Sequence, residues 1–223
     1  MDLPVWQRLY EELGSSGFLP ITVALDSGGN EAAGPWIAAA NPTYPCLVDR
    51  QHLVAGLYDM VNVPTAVWID EDGRIVRPPE TAGSNDAFRS MDPKTFAMPP
   101  EALQSIRDVR RRYLDALRDW AENGANSRFV LPGEEVLRRL NPPSDDHARA
   151  AAEFRLGEYL FEQGLSAAAA PHFDEAKRLR PESWAYRRQV WDLEEKGKAG
   201  GPEFWAAVQA LGDSPYYAPV ELD

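Results

Sequence analysis

Cysteine and histidine are the residues of this sequence best suited to nucleophilic, redox or metal chemistry, and they are few. Cys46 is the only cysteine among 223 residues, which excludes an internal disulfide, a Cys-x-x-Cys pair and a cysteine-rich zinc site within this sequence. The histidines, His52, His147 and His172, are scattered and give no metal-ligand spacing. The sequence therefore predicts no metal site and no cofactor, and Cys46 is its one candidate redox residue.

Two interpretations of Cys46 are open. Cys46 follows Pro45 and precedes Leu47 and Val48, which places it in a predicted buried strand rather than at the N-terminus of a helix. Helix N-termini and neighbouring cations activate thiolates, whereas apolar burial raises the pKa of a thiol. The sequence therefore favours a buried structural thiol over a redox thiol.

Hydrophobic periodicity predicts the elements that position these residues. Helices are predicted at 4–13, 31–40 and 51–58, and strands at 18–25, 45–48, 65–69 and 74–76. The dipeptide Asp72-Gly73 predicts a hairpin turn between the last two strands. Alternating helices and strands favour a mainly parallel sheet covered on both faces, with the final hairpin as an antiparallel edge.

Beyond a connector at 78–100 that is rich in Pro, Ser, Gly and Asp, the pattern is helical throughout. Helices are predicted at 101–122, at 134–140, at 145–195 as three helices interrupted at Gly164 and Pro181, and at 202–211. The sequence therefore predicts two domains, an α/β domain at 1–98 and an all-α region at 99–223.

The segment 58–76 resembles the thioredoxin-like family. A short helix leads into Val63-Pro64-Thr65, which is followed by a strand, the Asp72-Gly73 turn and a second strand. The pattern is most similar to the TlpA/ResA redox branch and to peroxiredoxin-related proteins. The resemblance implies that Pro64 is a cis-proline, and that the backbone of Val63 faces the redox site and pairs with extended peptides. Val63 and Pro64 are therefore the candidate binding residues.

The same resemblance implies that the redox motif itself is missing. In the family a strand and a Trp-Cys-x-x-Cys motif precede a helix that contains a proline, and Met1-Asp2-Leu3-Pro4 is similar to the end of that pattern. Two explanations are open. The gene product starts further upstream, for instance beyond a selenocysteine codon read as a stop, or the chain is a degenerate binding domain. The first is favoured.

Residues 150–183 resemble one tetratricopeptide repeat. The matching positions are Leu156, Gly157, Gly164, Ala169, Phe173, Ala176 and Pro181, while Glu153 replaces the first tryptophan of the pattern. A lone repeat cannot bury its apolar face, so it is expected to pack on neighbouring helices or on a second chain. A plain helical hairpin with incidental matches is the alternative.

Charge and hydropathy limit the classes of partner. The formal net charge of −12 disfavours binding to nucleic acid. The sequence contains no apolar run of about 18 residues, so it predicts no membrane-spanning segment. The start of the sequence shows no signal-peptide pattern, so a cytoplasmic location is expected. A homodimer is also expected, because the missing strand leaves an unpaired edge unless the tail at 216–222 fills the gap.

These observations predict an incomplete thioredoxin-like α/β domain followed by a tetratricopeptide-like helical region. The resemblance implies a thiol–disulfide or peroxide oxidoreductase lineage that lacks its catalytic Cys-x-x-Cys in this chain, and therefore no redox activity of the chain as given. The alternative is a non-catalytic protein-interaction module that uses the thioredoxin-like and tetratricopeptide-like surfaces to bind a protein or peptide.

Overall fold

Helices make up most of this fold. The computed structural model describes residues 3–140 and 142–222, and the protein is mixed α/β with 56% helix and 9% strand. Met1 and Asp2, which the proposed resemblance places near the end of a redox motif, lie outside the described residues. The α/β class is confirmed, while the thioredoxin-like and tetratricopeptide-like assignments stay predictions.

The first part of the chain alternates helices and strands in the predicted order. Its elements are α1 (Leu3–Leu13), β1 (Thr22–Leu25), α2 (Asn30–Ala40), β2 (Cys46–Asp49) and α3 (Leu53–Leu57). Strands β1 and β2 are parallel, with Val23 opposite Leu47. Helix α2 is the crossover that a parallel pair requires.

A hairpin follows, formed by β3 (Thr65–Ile69) and β4 (Ile75–Thr81). Its turn depends on Gly73, which has a φ of 77°, a value that side chains disfavour. The Asp70 carboxylate accepts a hydrogen bond of 2.7 Å from the backbone N–H of Arg74. The predicted hairpin turn is therefore confirmed.

Strand β4 is longer than the sequence predicts. It was expected to end at 76, but it continues through Pro78 and Pro79 to Thr81, so the connector begins at Ala82. Proline is tolerated where a strand does not need to donate a ladder hydrogen bond, as at the edge of a two-stranded sheet. The two prolines led the sequence analysis to end the strand too early.

The expected single, mainly parallel sheet is wrong for the described residues. These residues form two separate two-stranded sheets, β1 with β2 and β3 with β4. Each strand pairs with its neighbour in sequence, because α2 joins the parallel pair and the Asp70–Gly73 turn joins the hairpin. Periodicity predicts that a strand forms, but it does not specify which strands pair.

The remainder of the chain is helical, as predicted. The helices are α4 (Pro100–Asn123), α5 (Gly133–Arg139), α6 (Asp145–Glu162), α7 (Ser166–Leu179), α8 (Trp184–Glu194) and α9 (Pro202–Gln209). Both predicted interruptions are found: Gly164 has a φ of 75° between α6 and α7, and Pro181 lies between α7 and α8. Ser183 caps α8 by accepting a hydrogen bond from the N–H of Tyr186.

The contacts divide the chain into two units. The first comprises the described parts of 1–14, 18–61 and 142–199, and the second comprises those of 15–17, 62–141 and 200–223. Each unit takes residues from both sides of residue 98, the boundary that the sequence predicts. The division therefore mixes helical and strand-bearing segments in each unit.

The core of the first unit lies among α6, α7 and α8. The rings of Phe154 and Tyr186 stack with their centroids 4.2 Å apart, and Phe173 packs beside Phe154 at 5.7 Å. At Gly157 an added Cβ would lie 2.7 Å from the Phe173 ring, so only glycine permits this approach of α6 to α7. Glu153, which stands where the repeat pattern has tryptophan, pairs with His172 at 2.7 Å.

The core of the second unit is built around Trp68 of β3. The Trp68 indole N–H donates to the Tyr113 hydroxyl of α4 at 2.9 Å, and the indole stacks on Trp120 at 5.0 Å. The Arg77 guanidinium lies over the same indole at 5.3 Å. These contacts hold the β3–β4 hairpin against α4.

Candidate functional site

The loop at 62–65 holds the binding residues that the sequence predicts, Val63 and Pro64. The Val63–Pro64 peptide bond is cis, which confirms that prediction. The Thr65 hydroxyl donates to the carbonyl of Asn62 at 2.6 Å, and the Asn62 side chain accepts from the N–H of Val63 at 2.9 Å. The loop is therefore rigidly held by its own side chains.

A segment from the C-terminal end of the chain lies on this loop. The Tyr217 hydroxyl donates to the carbonyl of Val63 at 3.2 Å, and the Asn62 amide donates to the carbonyl of Tyr216 at 3.0 Å. The side chain of Val63 is 39% exposed beside them. The loop thus presents both a main-chain carbonyl and an apolar side chain to the C-terminal segment.

Cys46, the candidate redox residue, lies in β2 of the other unit. It is partly buried, and its sulfur accepts a hydrogen bond of 3.0 Å from the hydroxyl of Thr22 on β1. The pKa of the nearby Tyr44 hydroxyl is raised to about 12, mainly because the group is buried and secondly because of its electrostatic interaction with Cys46. The preference for a structural over a redox thiol stays a prediction, and the thiol lies in strand β2 rather than at a helix N-terminus.

A buried polar cluster in the first unit was not foreseen from the sequence. Ser27 follows β1, His52 precedes α3, and Glu158 lies on α6. The Ser27 hydroxyl donates a short hydrogen bond to Glu158, and it lies 3.4 Å from Nε2 of His52, which is itself 3.8 Å from the Glu158 carboxylate. Gln189 of α8 accepts from the N–H of Ser27 at 3.2 Å.

Burial controls the ionisation of this cluster. It raises the pKa of Glu158 to about 7, against the lowering contributed by the Ser27 hydroxyl and by Arg155, whose guanidinium lies 3.3 Å from the carboxylate. Burial also lowers the pKa of His52 to about 4. Both shifts have the same cause, because a low-dielectric interior disfavours the charged form of either group.

The cluster is not arranged as a catalytic triad. In a triad the carboxylate orients the imidazole, and the imidazole takes the proton of the serine. Here the Glu158 carboxylate binds the Ser27 hydroxyl directly, and among the described residues Nδ1 of His52 makes no hydrogen bond to a carboxylate. All three residues are buried, so the arrangement holds two loops to α6 rather than exposing a nucleophile.

One signal in the sequence pointed to this cluster. Ser27 and His52 follow consecutive parallel strands, and residues at the carboxyl ends of such strands meet at one edge of a sheet. The Asp49 carboxylate, which accepts from the N–H groups of Leu53 and Val54 at 2.9 and 2.7 Å, fixes the turn that contains His52. The contribution of Glu158 had no signal in the sequence.

A second ionic cluster in the same unit surrounds Arg180. Its buried guanidinium pairs with Asp59 at short range and with Glu182 at 3.3 Å. His147 lies 3.5 Å from Glu182. In the part of the chain that the structure describes, no three His, Cys, Asp or Glu residues are grouped so as to hold a metal ion.

None of the helices described is long and apolar enough to cross a membrane. No family model, no curated protein and no solved structure matches this chain.

Proposed function

We propose that this chain is a non-catalytic peptide-binding protein of the thioredoxin-like redox lineage, and that it binds extended polypeptide at the 62–65 loop. The observation that carries the proposal is the hydrogen bond of 3.2 Å from the Tyr217 hydroxyl to the carbonyl of Val63. The side chain of Tyr217, at a bend in the C-terminal segment, already uses this carbonyl as an acceptor. The half-exposed Val63 side chain provides an apolar contact beside it.

The thiol content supports binding over catalysis. Thiol–disulfide exchange proceeds through a mixed disulfide, which a second thiol of the same site normally resolves. This sequence has one cysteine, and Cys46 lies within β2 with the Thr22 hydroxyl on its sulfur. The proposal therefore assigns the chain the recognition function of its lineage without the redox step.

The α6–α8 helices contribute a second contact surface in this proposal. A cavity of about 450 Å³ lies among them, with Phe161, Phe173, Val190 and Leu193 in its walls. Repeats of this kind bury an apolar face against a neighbour. A protein partner that packs on these helices would extend the same arrangement.

Self-association is also part of the proposal. Leu19, Ile21 and Leu47 are 52%, 56% and 53% exposed, and the β1–β2 register places Leu47 opposite Val23, two residues after Ile21. Such a cluster of exposed apolar side chains is typical of an interface. We propose that two copies form a homodimer through it.

The homodimer has a direct test by light scattering at micromolar concentration. Leu47→Asp should shift the mass from dimer to monomer, because a charge would be buried without a partner. Leu137→Asp, at another exposed leucine, is the matched control and should leave the mass unchanged. A wild-type chain that is monomeric throughout would refute the homodimer.

Peptide binding is tested with a labelled, reduced and carboxymethylated polypeptide, followed by fluorescence anisotropy. Val63→Asp should weaken binding about tenfold, since a carboxylate would have to lose water at the contact. Ile69→Asp is the control, because Ile69 is equally exposed on β3 but outside the loop. Equal affinities of the two variants, or no binding by the wild type, would refute the proposal.

The redox part has its own assay. The chain should not reduce insulin disulfides with dithiothreitol faster than the background rate, because it lacks paired cysteines. Turnover that disappears in Cys46→Ser would show that the single thiol is catalytic.

A further inference from the structure

The C-terminal segment, residues 216–222, is held through its main chain by side chains of the second unit. Asp86 accepts from the N–H groups of Tyr216 and Tyr217 at 2.8 and 2.7 Å. Asn62 donates to the carbonyl of Tyr216 at 3.0 Å, Thr81 to that of Ala218 at 2.9 Å, and Arg77 to that of Glu221 at 2.8 Å. We call the surface formed by Asn62, Arg77, Thr81 and Asp86 the groove.

This pattern of contacts is that of a peptide in a binding site. No residue of the segment belongs to a strand or helix, so side chains of the groove take the place of a backbone ladder. Side chains that bind backbone groups accept peptides of many different sequences. They fix the direction and register of a peptide without requiring particular residues at the exposed positions.

The groove is held in place by contacts outside the segment. The Arg77 side chain is almost completely buried, binds Glu80 through two hydrogen bonds of 2.8 Å, and donates to the carbonyl of Phe129 at 2.9 Å. The Asn62 side chain is held on the loop because its oxygen accepts a hydrogen bond from the N–H of Val63. Preorganised donors lose little conformational freedom when a peptide binds.

Two side chains of the segment supply sequence preference. The Tyr216 ring is buried against Phe88 at 5.0 Å and against Phe204 at 5.8 Å, and Leu222 is buried at the other end. Ala218, Pro219 and Glu221 between them are exposed. A cavity of about 270 Å³ beside the segment is lined in part by Val109, Tyr113, Val220 and Leu222.

We propose that the groove is a binding site for peptides that carry an aromatic residue at the Tyr216 position and a branched apolar residue near the Leu222 position, and that the C-terminal segment is its intramolecular competitor. This inference rests on the function proposed above. It adds the class of ligand and a means of regulation. A partner peptide gains access only when it displaces the segment.

Tethering sets the expected strength of the competition. A segment joined by a short linker acts at an effective concentration on the order of millimolar. A free peptide with micromolar affinity for the empty groove would therefore bind the intact chain roughly 100-fold or more less tightly.

The test uses a fluorescein-labelled peptide with the sequence of residues 214–222. Its affinity is measured by anisotropy for the full chain and for a chain that ends at Asp213, with circular dichroism as the check on folding. The shortened chain should bind at least about 100-fold more tightly. Asp86→Asn in the shortened chain should weaken binding about tenfold, because an amide offers one acceptor oxygen for two N–H groups.

A second variant keeps the test decisive if the shortened chain does not fold. Tyr216→Ala in the full chain removes the buried ring of the competitor and leaves the rest of the segment in place. It should raise the affinity for the added peptide at least about tenfold. Leu137→Ala, at an exposed leucine of α5, is the control and should not change it.

The outcomes separate this inference from the function on which it rests. If neither chain binds the peptide or the carboxymethylated polypeptide, the proposed function fails. If the polypeptide binds but the full and shortened chains bind the 214–222 peptide equally, or Asp86→Asn has no effect, only the inference fails. Dimers of the full chain that exchange C-terminal segments would show that the occupant is a second copy, which also overturns it.

Discussion

The groove and the buried cluster at Ser27, His52 and Glu158 use polar side chains in opposite ways. In the groove, side chains such as Asp86 satisfy the backbone of residues 216–222. In the cluster, the Ser27 hydroxyl, the Glu158 carboxylate and Nε2 of His52 contact one another and are closed off from solvent. The first arrangement has a ligand that can be exchanged, whereas the second joins elements that are distant in sequence.

The difference shows which observable each region controls. The groove residues contact the backbone of the C-terminal segment, so changes there are expected to alter the affinity for a peptide and the protection of that segment. The cluster contains two groups whose pKa values burial has shifted, so changes there are expected to alter stability and its pH dependence. A shifted pKa alone is therefore not a sign of catalysis in this protein.

The largest expected effect concerns Glu158. Folding raises its pKa from the ordinary 4.5 to about 7, so the stability that the protonated carboxyl contributes is complete below pH 4.5 and is lost as the pH rises to about 7. In Glu158→Gln the side chain is neutral throughout. The unfolding free energy of the variant, measured in urea, should therefore rise relative to wild type by about 3 kcal/mol between pH 4.5 and pH 8.

Glu162→Gln, one turn further along α6, is the matched control. Glu162 forms an exposed ion pair with Arg50, and such pairs are worth about 0 to 1 kcal/mol. His52 acts in the opposite sense: burial lowers its pKa from 6.5 to about 4, so its contribution is present above pH 6.5 and is lost as the pH falls towards 4. A pH-independent difference between Glu158→Gln and wild type would contradict the burial of the carboxyl.

The next effect concerns the approach of α6 to α7, which positions Glu158. Gly157→Ala would place a Cβ 2.7 Å from the Phe173 ring, and such overpacking typically costs about 1–3 kcal/mol. Gly34→Ala within α2 is the control, since no atom lies within 4 Å of the Cβ that it would add. This substitution should stabilise the folded protein by about 0.5–1 kcal/mol. Thermal unfolding distinguishes the two, and an unchanged midpoint for Gly157→Ala would argue against this packing.

The smallest effect is expected in the groove. Thr81→Val keeps the shape of the side chain but removes the donor to the carbonyl of Ala218, which should cost about 1 kcal/mol. Amide hydrogen exchange should then quicken in residues 216–222 and not in the cluster of the first unit. Thr95→Val, at an exposed threonine, is the control; faster exchange throughout the chain would show that Thr81 serves the whole fold.

Local signals in the sequence predicted most elements well. The Asp72-Gly73 turn, the positive φ at Gly164 and the interruption at Pro181 all occur where local chemistry requires them. The predicted end of β4 was wrong because it also relied on local signals: Pro78 and Pro79 both disfavour a strand. Pairing of the edge strand with β3 outweighs them.

The candidate sites were less predictable. Val63 and Pro64 were identified from a contiguous segment, and the cis peptide bond was predicted correctly. The groove was not identified from the sequence, because its side chains lie on three different segments. Its occupant is 130 or more residues away from Asp86 along the chain. Only the apolar character of 216–222 suggested that this tail packs on the protein.

The sequence by itself determined where helices, strands and turns form, because these depend on periodicity and on the backbone preferences of glycine, proline and aspartate. It also determined that the chain has a single thiol. The tertiary structure decided that the strands form two separate pairs, that Glu158 meets Ser27, and that Asp86 meets Tyr216. These contacts join residues that are far apart in sequence, so their formation depends on packing and on the burial of polar groups, which no local pattern records.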